Sequence, residues 1–297
     1  MLFGIISFIG FLFLLKILKD VGLFLFNMWY GPKRNLSGIY GKGSYVLITG
    51  GSEGIGEEFA IQFAKKGFNL ILVSRSLEKL AQAKAKIQKE VRLCIVHTIS
   101  FDFSTLHNME DFDFSKAWGL DLRSIDISVL VNNVGIGSMG QTFYEYPIEK
   151  IQQMIEINCL SQTLLSSYII RQMVKRNHRS CIVHVSSLSA VRKLPFLDLY
   201  GATKRFNYHF GRSMTGFYGK VDVYNYMPSY VDTAMTQRIQ NNNKVSPQES
   251  VSSAMNNIGS FRTTFAGHWK HELATYVLSI VPEFVLVLLI TKLKIKI

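Results

Sequence analysis

An α/β fold, doubly wound around a parallel sheet, is predicted by three features of this sequence. The apolar run Tyr45-Val46-Leu47-Ile48 enters Thr49-Gly50-Gly51-Ser52-Glu53-Gly54-Ile55-Gly56 and then an amphipathic segment carrying Phe59, Ala60, Phe63 and Ala64. This reads as strand, glycine turn and helix. Five more apolar runs of strand length follow, separated by segments of helical pattern, the alternation expected of parallel strands joined by crossover helices. Tyr200 and Lys204, four residues apart in one helical segment, lie one turn apart on the same face.

The bulk composition narrows the partners. At 297 residues, 48% of them hydrophobic, the chain suits one large α/β domain or two small ones and has ample material for a core. Its net charge of +12, from 33 Lys+Arg against 21 Asp+Glu, points to anionic partners. The basic residues are scattered rather than blocked, which argues against nucleic acid and for a membrane surface plus a phosphate-bearing ligand. Cys94, Cys159 and Cys181 are well separated and form no C-x-x-C. Buried free thiols in a reducing compartment are expected.

The amino terminus opens with an uncharged run, Leu2 to Leu15, followed by Lys16, Lys19 and Asp20 and a second apolar run, Val21 to Tyr30. A membrane span needs about 20 apolar residues. Extension through Ile17 and Leu18, with Lys16 snorkelling, provides that length. A cleaved signal peptide competes, yet no basic residue precedes the apolar run and no small-x-small cleavage site follows it. Lys33, Arg34 and Lys42 lie after it and belong on the cytosolic side. Residues 1–30 are expected to be a retained membrane anchor helix, with an interfacial hairpin as the alternative. Residues 42–260 form the catalytic domain, and 261–297 an apolar, membrane-associated end.

Along the chain, the glycine turn lets backbone approach a pyrophosphate at a helix N-terminus. The second strand, Asn69 to Ser74, ends on Ser74-Arg75 where an acidic residue would favour a ribose 2′-hydroxyl. An arginine fork there suits a 2′-phosphate, hence NADP(H), although a solvated arginine opening the helix Leu77 to Lys89 is the alternative. A third strand is placed at Leu93 to Thr98. Asp102, just beyond, either binds an adenine amino group or caps a helix. Ile127 to Val131 leads into Asn132-Asn133-Val134-Gly135, where small and amide residues let a cofactor lie close, or simply make a turn.

Ile148 to Met173 has one continuous helical pattern, with Asn158 between Ile155, Ile157 and Leu160. That amide is either satisfied locally or holds a water in a proton relay. Ser180 to Val185 ends in Ser186-Ser187. A loop with Arg192, Lys193 and Pro195 precedes Tyr200. Val221 to Met227 ends in Pro228-Ser229-Tyr230-Val231-Asp232-Thr233, and the loop Thr236 to Ser246 is expected to shape a substrate site. His268, His271 and Glu272 lack the spacing of a metal site. Ala274 to Ile290, broken by Pro282 and Glu283, reads as a membrane-dipping or packing helix, and Lys292, Lys294 and Lys296 suit anionic lipid.

A lysine ammonium beside a phenol favours the phenolate, so Tyr200 with Lys204 makes an acid able to protonate a carbonyl oxygen. An exposed helix face is the alternative for such a pair in isolation. The glycine turn upstream and the serines thirteen and fourteen residues before Tyr200 shift the balance toward chemistry.

From about Lys42 to Asp232 the chain resembles the short-chain dehydrogenase/reductase family. Thr49-Gly50 with Gly54-Ile55-Gly56, Asn132-Asn133-Val134-Gly135, Asn158, Ser186-Ser187 and Tyr200 with Lys204 carry the resemblance. It implies a Rossmann-type sheet and the catalytic set Asn158, Ser187, Tyr200 and Lys204. It further implies that Thr49, Gly50, Ser52, Gly54, Ile55, Gly56, Ser74, Arg75, Asp102, Asn133, Gly135, Tyr200, Lys204, Pro228, Val231 and Thr233 hold NADP(H), and no metal. Thr233 would meet the nicotinamide carboxamide, and Asn158 would hold a relay water.

Ile39-Tyr40-Gly41-Lys42-Gly43-Ser44, Gly51-Ser52-Glu53, Ser74-Arg75-Ser76, Ser246-Pro247 and Gly267-His268-Trp269-Lys270-His271, with Leu278-Ser279 and Pro282-Glu283, are similar to a membrane-bound branch of the family. That branch comprises the very-long-chain 3-oxoacyl-CoA reductases and 17-beta-hydroxysteroid dehydrogenases of types 3 and 12. The branch implies reduction of a 3-oxoacyl-CoA in fatty-acid elongation, with ketosteroid reduction as the alternative and a non-catalytic scaffold as a minor one. It also implies residence in the endoplasmic reticulum membrane facing the cytosol, homodimers through the helices of Asn158 and Tyr200, and association with other elongation enzymes. Pro228-Ser229 departs from the family's proline-glycine, and the carboxyl end lacks a dilysine signal.

Overall fold

Strands that are apolar on both faces must be covered by helices on both sides, and this sheet is covered that way. The computed structural model describes residues 2–282, except 109–111, 138–142, 193, 195, 196 and 238–243, and then residues 284, 285 and 288. Seven strands lie in the order β3-β2-β1-β4-β5-β6-β7, all parallel. They are β1 (Tyr45–Thr49), β2 (Asn69–Ser74), β3 (Val96–Ser100), β4 (Ile127–Asn132), β5 (Ser180–Val185), β6 (Val221–Tyr226) and β7 (Thr264–Phe265). The helices are α1 (Leu2–Tyr30), α2 (Leu36–Tyr40), α3 (Gly54–Lys65), α4 (Leu77–Glu90), α5 (Phe114–Trp118), α6 (Ile148–Ile155), α7 (Ser161–Met173), α8 (Asp198–Met214), α9 (Pro247–Met255) and α10 (Trp269–Ile280).

Successive strand residues point to opposite faces, and the core divides accordingly. Val46, Ile48, Leu72, Val131 and Val183 pack with Phe59, Phe63, Leu80, Ile87 and Val251 of α3, α4 and α9. Leu47, Ile71, Leu130 and Ile182 pack with Phe114, Trp118, Leu165, Ile169 and Met214 of α5, α7 and α8. Strand order reverses between β1 and β4. A crevice therefore opens at their carboxyl ends, the place where open α/β sheets bind ligands.

Several expectations are corrected. The third strand begins at Val96, not Leu93. Leu93 is 93% exposed in a turn, and the strand starts where Val96 pairs with Leu70. The apolar run alone cannot distinguish turn from strand. The segment Ile148–Met173 is not one α-helix: a π-helical turn, Glu156–Leu160, separates α6 from α7 and contains Asn158. Such insertions recur at functional sites. The sheet also reaches past residue 260, because β7 pairs with β6.

α1 forms as a 29-residue helix, largely apolar, with Lys16, Lys19 and Asp20 as its charged residues, and exposed over most of its length. Among the described residues, however, no helix is long and apolar enough to cross a membrane. The uncharged run Leu2–Leu15 rises about 21 Å as a helix, short of the roughly 30 Å hydrocarbon core, before Lys16, Lys19 and Asp20 intervene. The expected spanning anchor is thus a helix without a full span.

The last turn of α1 is fixed to the domain. Arg34 donates to Asn27 Oδ1 and to the Asn256 carbonyl, both at 2.5 Å, and Asn27 donates to Asn257 Oδ1 at 3.2 Å. Asn27 is 2% exposed. Lys292, Lys294 and Lys296 lie outside the described residues, as do Lys193, Pro195, Glu283 and the middle of the loop Thr236–Ser246.

Candidate active site

The carboxyl ends of β1, β2, β4, β5 and β6 open onto a cavity of about 300 Å³. Its lining contains Gly50, Ser52, Gly54, Ile55, Ser74, Arg75, Asp102, Asn133, Gly135, Ser187, Tyr200, Lys204, Pro228, Val231 and Thr233. These residues, scattered over the sequence, are brought together by the sheet. Three predicted residues lie behind the wall instead of on it. Thr49 is 1% exposed, and its hydroxyl accepts from the N–H groups of Asn133 and Val134, both at 3.0 Å. This ties the end of β1 to the end of β4. Gly56 packs under the turn, where a Cβ would meet the Gly50 carbonyl oxygen and stand 2.6 Å from Asn133 Nδ2.

Asn158 is the third. Its Oδ1 accepts from Ile136 N at 2.8 Å, and its Nδ2 donates to Ile136 O at 2.9 Å and Thr203 Oγ1 at 3.0 Å. The amide acts as a brace between the π turn, the segment after β4 and α8. Local satisfaction, the first of the two sequence readings, describes both N–H groups of the side chain, while Oδ1 accepts one bond and keeps a second lone pair.

The cofactor side fits a dinucleotide. Gly50 and Gly54 turn through φ +63° and +60°, which side-chain-bearing residues rarely adopt. A Cβ on Gly54 would stand 2.9 Å from Thr233 Cγ2, and one on Gly135 would stand 3.2 Å from Lys204 Nζ. Side chains at these glycines would narrow the cradle. Ser52 bonds Ser74 across the turn at 2.8 Å, leaving Arg75 at the end of β2 on the cavity wall. Asp102 lines the cavity, and its carboxylate accepts from Ser104 N at 2.9 Å, as the capping reading expects.

The chemical centre is Tyr200 with Ser187 and Lys204. Tyr200 is 7% exposed and feels the Ser187 hydroxyl, which accepts from Ser189 N at 3.2 Å. Lys204 Nζ donates to the Val185 carbonyl at 3.1 Å and stands 5.8 Å from the Tyr200 ring centre. Ser186 fixes the same turn of α8 by donating to the Lys204 carbonyl at 2.6 Å.

Electrostatics corrects one expectation. Burial pushes the Tyr200 phenol up to about 12, with Ser187 opposing and Tyr230 adding to the rise, rather than Lys204 drawing it down. Burial also lowers Lys204 to about 8. Burial is the largest cause for both groups, because it disfavours the charged form of each. The phenol therefore keeps its proton at neutral pH, as a proton donor must.

The opposite wall was not legible in sequence. Ile136, Leu188, Leu194, Leu197, Tyr230 and Met235 line it. No spacing rule marks these residues; only the folded loops bring them together. Among the described residues no group of three or more His, Cys, Asp or Glu could hold a metal. Glu272 is committed to Arg262 at 2.9 and 2.6 Å. Cys94 and Cys181 are buried free thiols, and Cys159 is half-buried.

A dinucleotide cradle ending at a tyrosine–serine–lysine centre defines a nicotinamide-dependent oxidoreductase acting at a carbonyl or alcohol carbon. Residues 44–244 match the short chain dehydrogenase family, and the chain belongs to it. The chain is 31% identical to the very-long-chain 3-oxoacyl-CoA reductase of Coccidioides immitis over 265 residues, 85% of this chain and 74% of that protein. It is 31% identical to the human protein of the same name over 258 residues, 82% of this chain and 78% of that one. Among solved structures, a short-chain dehydrogenase from Sphingobium yanoikuyae in complex with NADPH shares the fold. That structure has a TM-score of 0.67 and 24% identity, covering 80% of this chain and 96% of that one.

Proposed function

We propose that this protein reduces the 3-oxo group of long-chain or very-long-chain 3-oxoacyl-CoA to the 3-hydroxyacyl-CoA, using NADPH, in fatty-acid elongation. The observation that carries this reading is the extent of the likeness to reductases of that name. It covers 265 residues and so runs beyond the 44–244 core common to the family. The apolar wall of Ile136, Leu194, Leu197 and Met235 supports it, since an acyl chain needs such a surface.

When bound, the reduced nicotinamide supplies hydride to the carbonyl carbon. Tyr200 gives its proton to the carbonyl oxygen, completing the alcohol. Ser187 donates a hydrogen bond to that oxygen and stabilises the charge that develops on it. Lys204 places an ammonium beside the phenolate that Tyr200 becomes, until solvent reprotonates it. Arg75 would pair with the 2′-phosphate of NADPH.

We place the protein at the endoplasmic reticulum membrane with its catalytic domain in the cytosol and α1 in the bilayer interface. A largely apolar, exposed helix interrupted by Lys16, Lys19 and Asp20 favours that arrangement over a full span. A homodimer through α7 and α8 is part of the same reading, by analogy with the family.

The test is NADPH oxidation by membranes containing the full chain, with a long-chain 3-oxoacyl-CoA and, in parallel, a 17-ketosteroid. Turnover of the thioester is the expected result. Turnover of the steroid alone would move the substrate to sterols, and turnover of neither, with NADPH still bound, would favour a scaffold.

A further inference from the structure

One face of α10 has no partner among the described residues. Its inner side is built into the domain. His271 is 3% exposed, and Glu272, besides pairing with Arg262, accepts from the N–H groups of Ala266 and Gly267 at 2.9 and 3.1 Å. Its outer side carries Trp269, Leu273, Val277 and Ile280, all between 46 and 56% exposed. Steps of four, four and three residues align them in a single stripe. A helix stripe of this kind ordinarily faces a core, but here the core lies on the other side.

Two connections locate the stripe. At its amino end, Phe24 and Met28 of α1 share a groove of about 430 Å³ with His268 and Trp269. The opposite wall of that groove is polar, with Ser252 and Ser253 of α9 and Asn256 just after it. Arg262 stands over the Phe24 ring at 5.9 Å. At the carboxyl end, Arg192 donates to the carbonyls of Leu278 and Ser279 at 2.8 and 2.9 Å. Arg192 belongs to the segment between Ser187 and Tyr200 that supplies Leu194 and Leu197 to the cavity. α10 therefore runs, over about 18 Å, from the base of α1 to the substrate side of the site.

We propose that the Trp269-Leu273-Val277-Ile280 face lies against a bilayer containing anionic lipid, so that the substrate side of the cavity opens toward lipid. The apolar surface of α1 continues into this face through the shared groove. Charge is complementary. Lys270 adjoins Trp269, Lys33 lies 3.9 Å from the Trp29 ring centre, and the sequence beyond α10 alternates Lys292, Lys294 and Lys296 with Leu and Ile. Four half-exposed side chains offer far less than the roughly 800 Å² per partner of a stable protein interface. Delivery of an acyl chain from the bilayer is the functional consequence; it rests on the 3-oxoacyl-CoA reading, whereas the lipid contact does not.

The experiment uses the full chain with a fluorophore on Val277→Cys or, separately, on Leu93→Cys, which lies 93% exposed beside β3 at the other edge of the sheet. The protein is bound to phosphatidylcholine vesicles, with or without phosphatidylserine, whose acyl chains carry bromine. Quenching at position 277, stronger with phosphatidylserine, and none at position 93 is expected. An unquenched label at 277 in vesicle-bound protein overturns the proposal. Crosslinking of the Val277→Cys variant to a second copy or to the chain's own carboxyl end, in place of quenching, overturns it as well.

A second arm uses Leu273→Gln with Val277→Gln. KM for a long-chain 3-oxoacyl thioester in vesicles should rise severalfold, with KM for a short, water-soluble one unchanged. Equal effects on both would overturn delivery from lipid. If no thioester is turned over at all, the substrate reading fails and the quenching result still decides the lipid contact.

Discussion

The two walls of the cavity are built on different principles. The cofactor wall is made by strand ends and by atoms that leave no space: the turn Gly50–Gly56, the Thr49 hydroxyl bridging to Asn133 and Val134, and Gly135 against Lys204. The substrate wall is made by apolar side chains from separate loops, Leu194, Leu197, Tyr230 and Met235, around which the contacts are non-directional. A nucleotide of fixed shape demands the first kind of wall. A flexible apolar chain needs only the second. The difference predicts that damage to one wall should be read out in one ligand alone, while damage at the seam should stop the reaction.

The seam should give the largest effect. Tyr200→Phe should lower kcat by about 10²–10⁴-fold while leaving NADPH affinity intact, measured by steady-state kinetics beside cofactor titration. Full activity would remove Tyr200 as proton donor. On the cofactor wall, Arg75→Ala should weaken NADPH by roughly 10–100-fold, the value of one charge-assisted pair, and leave NADH and acyl-thioester KM unchanged. Equal loss for both nucleotides would show that Arg75 does not read the 2′-phosphate.

The pH profile sharpens the seam further. Burial lowers Lys204 to about 8, and the proposed reduction draws on its positive charge. kcat/KM should therefore fall above about pH 8, up to tenfold per unit. A flat profile to pH 10 would separate Lys204 from the chemical step. On the substrate wall, Met235→Gln should raise acyl-thioester KM severalfold with less change in NADPH affinity, because Met235 is an apolar, 45% exposed part of the cavity lining.

The smallest effect is on stability. Burial lowers His184 to about 3 and His271 to about 4, from 6.5. Between those values and 6.5 the unfolded chain binds protons that the native chain does not. Stability must then fall as pH drops from 6.5 toward 4. Denaturant titration of His184→Gln should show a shallower loss over that window than the wild type; an identical slope would count against His184.

Legibility in the sequence followed the same division. The glycine turn and the Tyr200–Lys204 pair were readable because local backbone and helical spacing dictate them, whereas Asn133 and Ser187 took their roles from the family resemblance. The limits appeared where packing decides. Leu93 looked like strand and became a turn, because register with β2 begins at Val96. Asn158 was found, but its use as a brace depends on Ile136 and Thr203, far away in sequence. The drop in Lys204 basicity needed burial, which no spacing shows. The π turn between α6 and α7 left no compositional mark at all, and neither did the apolar loops of the substrate wall.

The latch of Arg34, Asn27, Asn256 and Asn257 settles how α1 can behave as a mechanical part. A helix joined through a flexible linker is a leash, and the body it holds swings through a wide cone. Here the junction is hydrogen-bonded on both sides, and Gly31 allows it to seat directly against Asn256. Such a joint is a bracket: whatever grips α1 also fixes the tilt of the sheet and the direction in which the cavity points. Loosening it, as in Arg34→Ala, would leave each ligand-binding wall intact and free only the angle at which the whole enzyme is held.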